Sequence, residues 1–393
     1  MKDCLKKYAA NEKNPKWNNL IKRENNLYPR NNDIRTEFER DYTRVIHSTA
    51  YRRLKHKTQV FFSPENDHIC TRIEHVVHVE SIAYTIAKYL GLNVELTRSI
   101  ATSHDIGHSP FGHQGEKILS ELSKRDLGIP FWHEKNGLEM VDKIELLEDP
   151  KGNKQNLCLT YGVRDGIISH CGEIDENKLR PRDEYIDLNT YNYPNQYAPY
   201  SWEGCVVKIA DKISYLGRDI ADAITLELLD EHLTELRKLL KCKKGDVINN
   251  TVLINDLIYD LCENSSFENG LCFSDKVFNM INNIKKFNYE NIYHSEKLLP
   301  SNDYFKIVIT TIYNALKNAY NNFDKLEKIC PVLLEDYKEW ISNYWNLERN
   351  EKNKNKVIFD VYNEKDYYKS IILYISGMTD NYAIEMYKEV IGF

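Results

Sequence analysis

The chain has 393 residues, of which 42% are hydrophobic and 28% are charged, a composition typical of soluble globular proteins. Its formal net charge of −6 argues against a surface that binds nucleic acid over its whole extent. No apolar run reaches the roughly 20 residues of a membrane span, and no signal peptide is visible, so we expect a cytoplasmic protein. The nine cysteines form no CxxC pair, which predicts reduced thiols rather than disulfides.

The beginning of the chain is more basic than the rest. Residues 1–60 contain fifteen Lys and Arg against seven Asp and Glu, which leaves a local charge of +8. A solvated face and a surface that attracts phosphates are both consistent with this charge. The second interpretation would allow weak binding of single-stranded nucleic acid.

Apolar residues recur at helical spacing through most of the chain, and few stretches alternate with the period of a strand. The clearest strand candidate is 357–361, and the polar stretches 149–157, 176–200 and 348–356 predict loops. There is no glycine-rich phosphate loop. We therefore predict an all-α chain with minor β content at most. The predicted helices cover residues 76–90, 95–103, 115–125, 134–147, 205–229, 232–241, 252–263, 303–325, 331–347 and 367–390.

Nine of the twelve histidines lie before residue 134, most densely in the segment HDIGHSPFGHQGE at residues 104–116. Imidazoles, carboxylates and glycines in one short segment indicate metal ligation combined with proton transfer. His104 and Asp105 are adjacent, so on one continuous helix their side chains would point about 100° apart. Both can reach one ion only where the helix ends, and Gly107 and Pro110 favour such an end.

Two distant residues are candidates for completing this metal site. His75 shares a helical face with the apolar residues of 76–90, where a lone histidine is usually a packed core residue. Asp211 lies in the apolar stretch VVKIADKI, and burying an aspartate is costly unless a partner such as a metal compensates it. The alternative for Asp211 is a surface helix with internal ion pairs. With His104 and Asp105, these residues form a mixed site that suits Mg²⁺, Mn²⁺, Fe²⁺ or Zn²⁺.

Further polar residues flank the predicted ligands. His113 and Glu116 are three residues apart at the start of a predicted helix, so the carboxylate can orient the imidazole for proton transfer. His108 lies nearer the histidine–aspartate doublet and could contact phosphate. His133 begins a second histidine–glutamate pair. On the helix that carries Asp211, the neighbouring Lys212 and the residues Tyr215 and Asp219 at i+4 and i+8 predict a binding wall.

Together these residues resemble the H…HD…D signature of HD-domain phosphohydrolases, and most closely the deoxynucleoside triphosphate triphosphohydrolases, or dGTPase-like family. The resemblance covers residues 35–225 and 365–390. Arg218 stands where many members carry histidine, and 230–360 matches no motif of the family. The matching segments are DYTRVIHS, RRL and KTQVF within residues 41–61, HDIGHSPFGHQGE at 104–116, ADKISY with the following Asp219, and YISGMTDNYA at 374–383.

The resemblance implies an HD-domain helical fold, with a phosphohydrolase core in residues 1–230 and a helical C-terminal region in 231–393. It implies hydrolysis of a deoxynucleoside triphosphate, dGTP first, to deoxynucleoside and tripolyphosphate. It also implies a divalent metal cofactor, a homo-oligomer and, in some members, an activating nucleotide at a second site. The alternatives are an HD-type enzyme for a monophosphate, cyclic dinucleotide or alarmone, and a regulator without catalysis.

The resemblance also implies roles for individual residues, carried over by motif position. The implied metal ligands are His75, His104, Asp105 and Asp211. The implied catalytic pair is His113 and Glu116, with His108 and His133 as phosphate contacts or acid–base helpers. Arg72 and Lys212 match phosphate contacts, and Gln59, Tyr215 and Asp219 match positions near the deoxyribose.

Overall fold

The computed structural model describes residues 2–28, 32–62, 66, 68–171, 177–243, 246–345 and 349–392. These residues are predominantly helical, which confirms the all-α prediction. The α-helices are α1 (Trp17–Leu20), α2 (Glu37–His47), α3 (Thr49–Arg53), α4 (Arg72–Leu90), α5 (Val94–Ser103), α6 (Gly112–Leu127), α7 (His133–Glu139), α8 (Tyr161–Ser169), α9 (Trp202–Thr225), α10 (Leu233–Leu239), α11 (Asn250–Asn264), α12 (Asp275–Asn288), α13 (Leu299–Asn318), α14 (Phe323–Ile329), α15 (Pro331–Ser342), α16 (Glu364–Ser376) and α17 (Asp380–Ile391).

The β content of the described residues is small and lies away from the predicted strand. Strands β1 (Leu146–Glu148) and β2 (Lys154–Asn156) form an antiparallel hairpin, in which Leu147 pairs with Gln155. The strand predicted at 357–361 is wrong, because there only Phe359 forms a single bridge, to Trp345. The loop predicted at 149–157 contains β2, and the helix predicted at 134–147 ends in the π-helical turn Met140–Ile144 before β1.

Three predicted helices of the C-terminal half have different ends. The helix predicted at 303–325 is two helices, α13 and α14, because Asn321 adopts a left-handed φ of 57° between them. The helix predicted at 367–390 is also two, since Thr379 caps the start of α17. The helix predicted at 331–347 corresponds to α15, which ends at Ser342, and its residues 346–347 lie outside the described residues. Residue 176 of the loop predicted at 176–200 and residue 348 of the loop predicted at 348–356 also lie outside them. Helices α1, α2, α3, α8 and α12 were not predicted.

Helix α4 shows how local sequence defines an element that carries the site. It begins at a capping box in which Thr71 and Glu74 satisfy each other's backbone N–H groups. It ends at Gly91, whose left-handed φ of 81° suits a residue without a side chain. Val79 and Ile86 are buried on the same face as His75, so the core-facing prediction for His75 is confirmed.

The buried apolar residues form two clusters that interleave along the chain. The first joins α4, α5, α8 and α9 with residues of α11 and α12. The second joins α6 with α13, α15, α16 and α17. Helix α6, which begins inside the histidine-rich segment, therefore packs with helices near the other end of the chain. The division at residue 230 stays a prediction.

Two further properties complete the description. Among the residues that the structure describes, no helix is both long and apolar enough to cross a membrane. All nine cysteines are free thiols, and five of them are buried.

Candidate functional site

Four side chains from three parts of the chain meet below the surface. The Nε2 atom of His75 lies 3.0 Å from the Oδ1 atom of Asp211 and 3.8 Å from the Oδ2 atom of Asp105. The Nε2 atom of His104 lies 3.4 Å from Asp105 Oδ1 and 3.9 Å from Asp211 Oδ1. These are the four ligands that the sequence predicted, and they come together from α4, from the turn after α5 and from α9.

The backbone around His104 explains how two adjacent residues reach one point. Helix α5 ends at Ser103, so the doublet falls at the helix terminus. His104 Nδ1 lies 2.6 Å from the carbonyl oxygen of Ala101, which assigns the proton to Nδ1 and leaves the Nε2 lone pair facing Asp105 and Asp211. The chain reverses through Phe111, with a left-handed φ of 61°, before α6 begins at Gly112.

The donor set and its surroundings fit a divalent cation. His75, His104 and Asp211 each offer a ligand atom, and these atoms lie within 4.8 Å of one another. Among the described residues, the buried Nε2 atom of His104 has no hydrogen-bond partner, which is costly for a polar atom unless something binds there. Burial alone would raise the pKa of Asp105, but His108, His104 and Arg72 together hold that pKa well below its ordinary value. The carboxylate is therefore ready to act as a ligand.

Glu116 binds a different histidine from the one predicted. Its carboxylate oxygens lie 3.0 Å from the backbone nitrogen and 3.0 Å from Nδ1 of His133. His113 Nδ1 lies 3.9 Å from Glu116, an ion-pair distance rather than a hydrogen bond. Burial alone would raise the pKa of Glu116, but the attraction of His133 lowers it to about 2. The same carboxylate and that of Glu134 raise the pKa of His133 to about 10, against the effect of burial.

His108 connects the metal ligands with His133. Its Nδ1 atom lies 3.1 Å from Asp105 Oδ1, and its ring stacks on the ring of His133 with 3.7 Å between centroids. Its Nε2 atom is buried without a hydrogen-bond partner. Burial, followed by the charge of Arg72, holds the pKa of His108 well below its ordinary value, so the imidazole is neutral.

His113 lies at the open side of this arrangement. Its side chain is 58% exposed, whereas that of His133 is 14% exposed. A ligand atom of His113 lies within 4.8 Å of ligand atoms of both His108 and Glu116. His113 is thus placed where it can meet water and a bound substrate.

The residues predicted to contact phosphate and sugar occupy two regions around the ligands. Arg72 is buried, and its Nη1 atom lies 2.7 Å from Asp105 Oδ2 while Nη2 donates to the backbone oxygen of Gln59. The side-chain oxygen of Gln59 is buried without a hydrogen-bond partner. Lys212 is buried and Tyr215 half-buried on α9, next to Asp211 and one turn beyond it.

Asp219 lies further along α9, beside a residue that sequence reasoning did not connect to it. The hydroxyl of Tyr293 donates to Asp219 Oδ2 over 2.5 Å. Burial raises the pKa of Asp219 to about 7, although the bond from Tyr293 opposes this shift. The region 230–360, in which the sequence analysis found no family motif, therefore contributes at least Tyr293 to the surroundings of α9.

His170 was missed by the sequence reasoning. It follows α8, a helix in which every residue is buried, and its Nε2 atom lies 3.3 Å from His133 Nε2 and 4.0 Å from Asp105 Oδ1. The available signal was a histidine directly after the apolar run GIIS in the sequence GVRDGIISH. His170 lies 37 residues after His133, the last of the nine clustered histidines, so the sequence gave no reason to place it in the same site.

Comparisons with known proteins agree with this geometry. An HD domain matches residues 72–216, and a phosphohydrolase-associated domain matches residues 271–389. A deoxyguanosinetriphosphate triphosphohydrolase-like protein of Caldanaerobacter subterraneus subsp. tengcongensis is 34% identical over 91% of this chain and 86% of its own length. Proteins of the same description from Rickettsia prowazekii and Pelagibacter ubique are 31% and 30% identical. They cover 91% and 94% of this chain, and 92% and 96% of their own lengths.

The chain belongs to this dGTPase-like family. The predicted family is confirmed, and the chain is an HD-domain phosphohydrolase by descent. The HD domain starts at Arg72 and includes His75, His104, Asp105 and Asp211, while the phosphohydrolase-associated domain includes Tyr293. The second match extends the family assignment to residues 271–364, for which the sequence analysis found no motif, and overlaps the resemblance at 365–390.

Proposed function

We propose that the protein hydrolyses deoxynucleoside triphosphates, with dGTP as the first candidate, to deoxynucleoside and tripolyphosphate. The observation that carries this proposal is the meeting of His75, His104, Asp105 and Asp211 beside a second set of histidines and a buried arginine. The relatives' descriptions support the choice of dGTP.

The four residues are proposed to hold one divalent ion, with Mg²⁺ or Mn²⁺ the first candidates. When bound, such an ion lowers the pKa of a coordinated water and neutralises phosphate charge. The buried Arg72 and Lys212 add positive charge nearby, where a triphosphate with about four negative charges needs it. The chain's net charge of −6 is compatible with this role, because the positive charge is needed only locally.

The reaction requires one proton to leave the attacking water and one to reach the 5′ oxygen of the nucleoside. Water adds to the α-phosphorus, and the bond between that phosphorus and the 5′ oxygen breaks. We assign the proton transfer to His113, which is exposed on the solvent side and lies 3.9 Å from the Glu116 carboxylate. His108 presents its unpartnered Nε2 atom to the phosphate.

The sugar is proposed to lie along α9. Tyr215 and Asp219 follow Asp211 at one and two turns, and the amide oxygen of Gln59 lacks a hydrogen-bond partner among the residues that the structure describes. A close fit of these groups around the deoxyribose would exclude a 2′-hydroxyl, because burying that hydroxyl without a partner costs a few kcal/mol.

The test is an assay of all four deoxynucleoside triphosphates, singly and in pairs, with Mn²⁺ or Mg²⁺. Products are separated by ion-exchange chromatography, which distinguishes tripolyphosphate from pyrophosphate. Deoxynucleoside with tripolyphosphate is the expected result, and Asp211→Asn is the inactive control. Pyrophosphate with a monophosphate, or turnover only of a nucleoside monophosphate, cyclic dinucleotide or alarmone, would contradict the proposal.

A second, activating nucleotide is proposed for a cavity in the basic beginning of the chain. This cavity of about 240 Å³ lies between α2, the residues before it and strand β1. Its lining includes Tyr28, Arg35, Arg40, Arg44 and His47. Guanidinium groups beside an aromatic ring suit a phosphate and a base, and a bound phosphate would compete with Asp33 for Arg35 and Arg40. Stimulation of one substrate's hydrolysis by another would support this assignment. The homo-oligomeric state, the cytoplasmic location and weak single-strand binding remain predictions.

A further inference from the structure

One aspartate of the C-terminal motif YISGMTDNYA binds two separate segments of the chain. Asp380 is the first residue of α17, and its side chain is buried. Its Oδ2 atom accepts hydrogen bonds from the backbone nitrogen of Thr58 over 2.7 Å and from the hydroxyl of Thr58 over 2.5 Å. Its Oδ1 atom accepts a hydrogen bond from the backbone nitrogen of Phe111 over 2.8 Å. A single carboxylate therefore holds both segments.

Each of these segments carries a residue with a role in the proposed function. Thr58 directly precedes Gln59, which is proposed to lie beside the deoxyribose. Phe111 directly precedes α6, in which His113 is the second residue. Phe111 has a left-handed φ of 61°, which is costly for a residue with a side chain, so its backbone must be held by its surroundings. The hydrogen bond to Asp380 stabilises this conformation at the start of α6.

The two segments also contact each other, so a shift in one is transmitted to the other. A side-chain carbon placed on Gly112 would lie 2.8 Å from the backbone oxygen of Gln59. Arg72 donates to the same oxygen over 3.1 Å and to Asp105 over 2.7 Å. The position of Gln59 is thus coupled to the start of α6 and to the metal ligands.

A buried lysine connects the same part of the chain to these segments. The Nζ atom of Lys57 donates to the backbone oxygen of Ser376 over 2.8 Å and also to the backbone oxygen of His108. Ser376 is the last residue of α16, four residues before Asp380. The connection between α16 and α17 therefore binds the 57–58 segment and the histidine-rich segment by two independent sets of hydrogen bonds.

We propose that Asp380 is a positioning residue that sets the distance between Gln59 and His113. Both of its oxygens accept hydrogen bonds from the protein, so it acts through these residues rather than by contact with substrate. The inference rests on the proposed function, which gives Gln59 and His113 their roles. Firm placement of Gln59 favours deoxyribose over ribose, and firm placement of His113 favours turnover.

The alternative is that Asp380 only stabilises the fold, and the chain contains a matched aspartate that tests this. Asp41 is buried in α2, and its Oδ2 atom accepts hydrogen bonds from the backbone nitrogen and the hydroxyl of Thr160 over 2.8 Å and 2.6 Å. Thr160 caps the start of α8. Neither residue has a role in the proposed function, so their substitution reports the effect of losing such bonds alone.

The experiment uses the full-length protein with Mn²⁺ and two measurements. The first is turnover of dGTP in the tripolyphosphate assay. The second is the ratio of the dissociation constants of GTP and dGTP, measured by isothermal titration calorimetry in a His113→Ala background to prevent hydrolysis. Asp380→Ala should lower turnover roughly 100-fold and the ratio roughly 10-fold, with bound metal unchanged. Thr58→Val keeps the backbone bonds, so it should lower the ratio while turnover stays close to the wild type.

The matched controls are Asp41→Ala and Thr160→Val. They should lower the melting temperature about as much as Asp380→Ala and Thr58→Val, but both turnover and the ratio should match the wild type. A folded Asp380→Ala variant with wild-type turnover and ratio, or one that loses its metal, would overturn the inference, as would equal losses in Asp41→Ala. If Asp380→Ala does not fold, judged by circular dichroism, a wild-type ratio in Thr58→Val overturns it.

The binding ratio also separates this inference from the proposed function. A wild-type protein that binds dGTP more tightly than GTP but hydrolyses no deoxynucleoside triphosphate would reject the proposed function alone. A wild-type protein that hydrolyses dGTP but binds GTP equally well would overturn the inference alone.

Discussion

Gly107 controls how closely the histidine–aspartate turn approaches helix α7. A side-chain carbon placed on Gly107 would lie 2.1 Å from the backbone oxygen of His133 and 2.2 Å from the backbone nitrogen of Gly137. Non-bonded carbon contacts are most favourable at about 3.5 to 4.0 Å. Because both obstacles are backbone atoms, Gly107→Ala must push the start of α7 away by roughly 1 Å or more.

This displacement should affect both stability and activity. Overpacking a buried site costs about 1 to 3 kcal/mol. For a chain of this length that corresponds to a melting temperature about 1 to 4 °C lower. Moving His133 and the Glu116 interaction by about 1 Å should lower turnover of dGTP roughly 100-fold. Differential scanning fluorimetry and the tripolyphosphate assay measure the two effects.

Gly377→Ala is the matched control. A side-chain carbon on Gly377 would lie 3.4 Å from its nearest neighbour, the backbone oxygen of Tyr374, which is an ordinary contact. Its stability should change by no more than about 0.5 kcal/mol, and its turnover should match the wild type. A Gly107→Ala variant that behaves like this control would refute the argument that the close approach positions His133.

Three other predictions follow from particular contacts. Asp211→Ala should lose both bound metal and turnover, whereas His113→Ala should lose turnover but keep its metal. Elemental analysis together with the activity assay distinguishes the two variants. Equal metal loss in both would show that His113 is misassigned. Asp219 has a folded pKa of about 7, above its unfolded value, so its contribution to stability falls as pH rises from about 4 to 7. In metal-free protein, urea titrations should therefore show Asp219→Asn gaining stability relative to the wild type over that range, and parallel curves would contradict the shift. Arg40→Glu should abolish stimulation by a second nucleotide without changing basal turnover, and Lys7→Glu, on an exposed residue outside the cavity, should retain stimulation.

Helix α4 shows what the local sequence pattern can predict. The apolar spacing and the stop at Gly91 act within a few residues, so the sequence predicted the end of α4 at Leu90. The capping box at Thr71 was overlooked, so the predicted start lies four residues late. The same reasoning failed at Asn321, where a left-handed turn divides one apolar pattern into two helices. Periodicity reports which face is apolar, but it does not report whether the backbone continues.

The sequence by itself selected His75, His104, Asp105 and Asp211 as one candidate set of metal ligands, because their residue types and spacing match a motif. Tertiary structure alone decided that Glu116 bonds to His133 and that His170 faces both His133 and Asp105. Those contacts join residues of α6 and α7 with the residue that follows α8. The physical reason is that each hydrogen bond depends on atoms within about 3 Å, and such distances between separate helices are set by core packing.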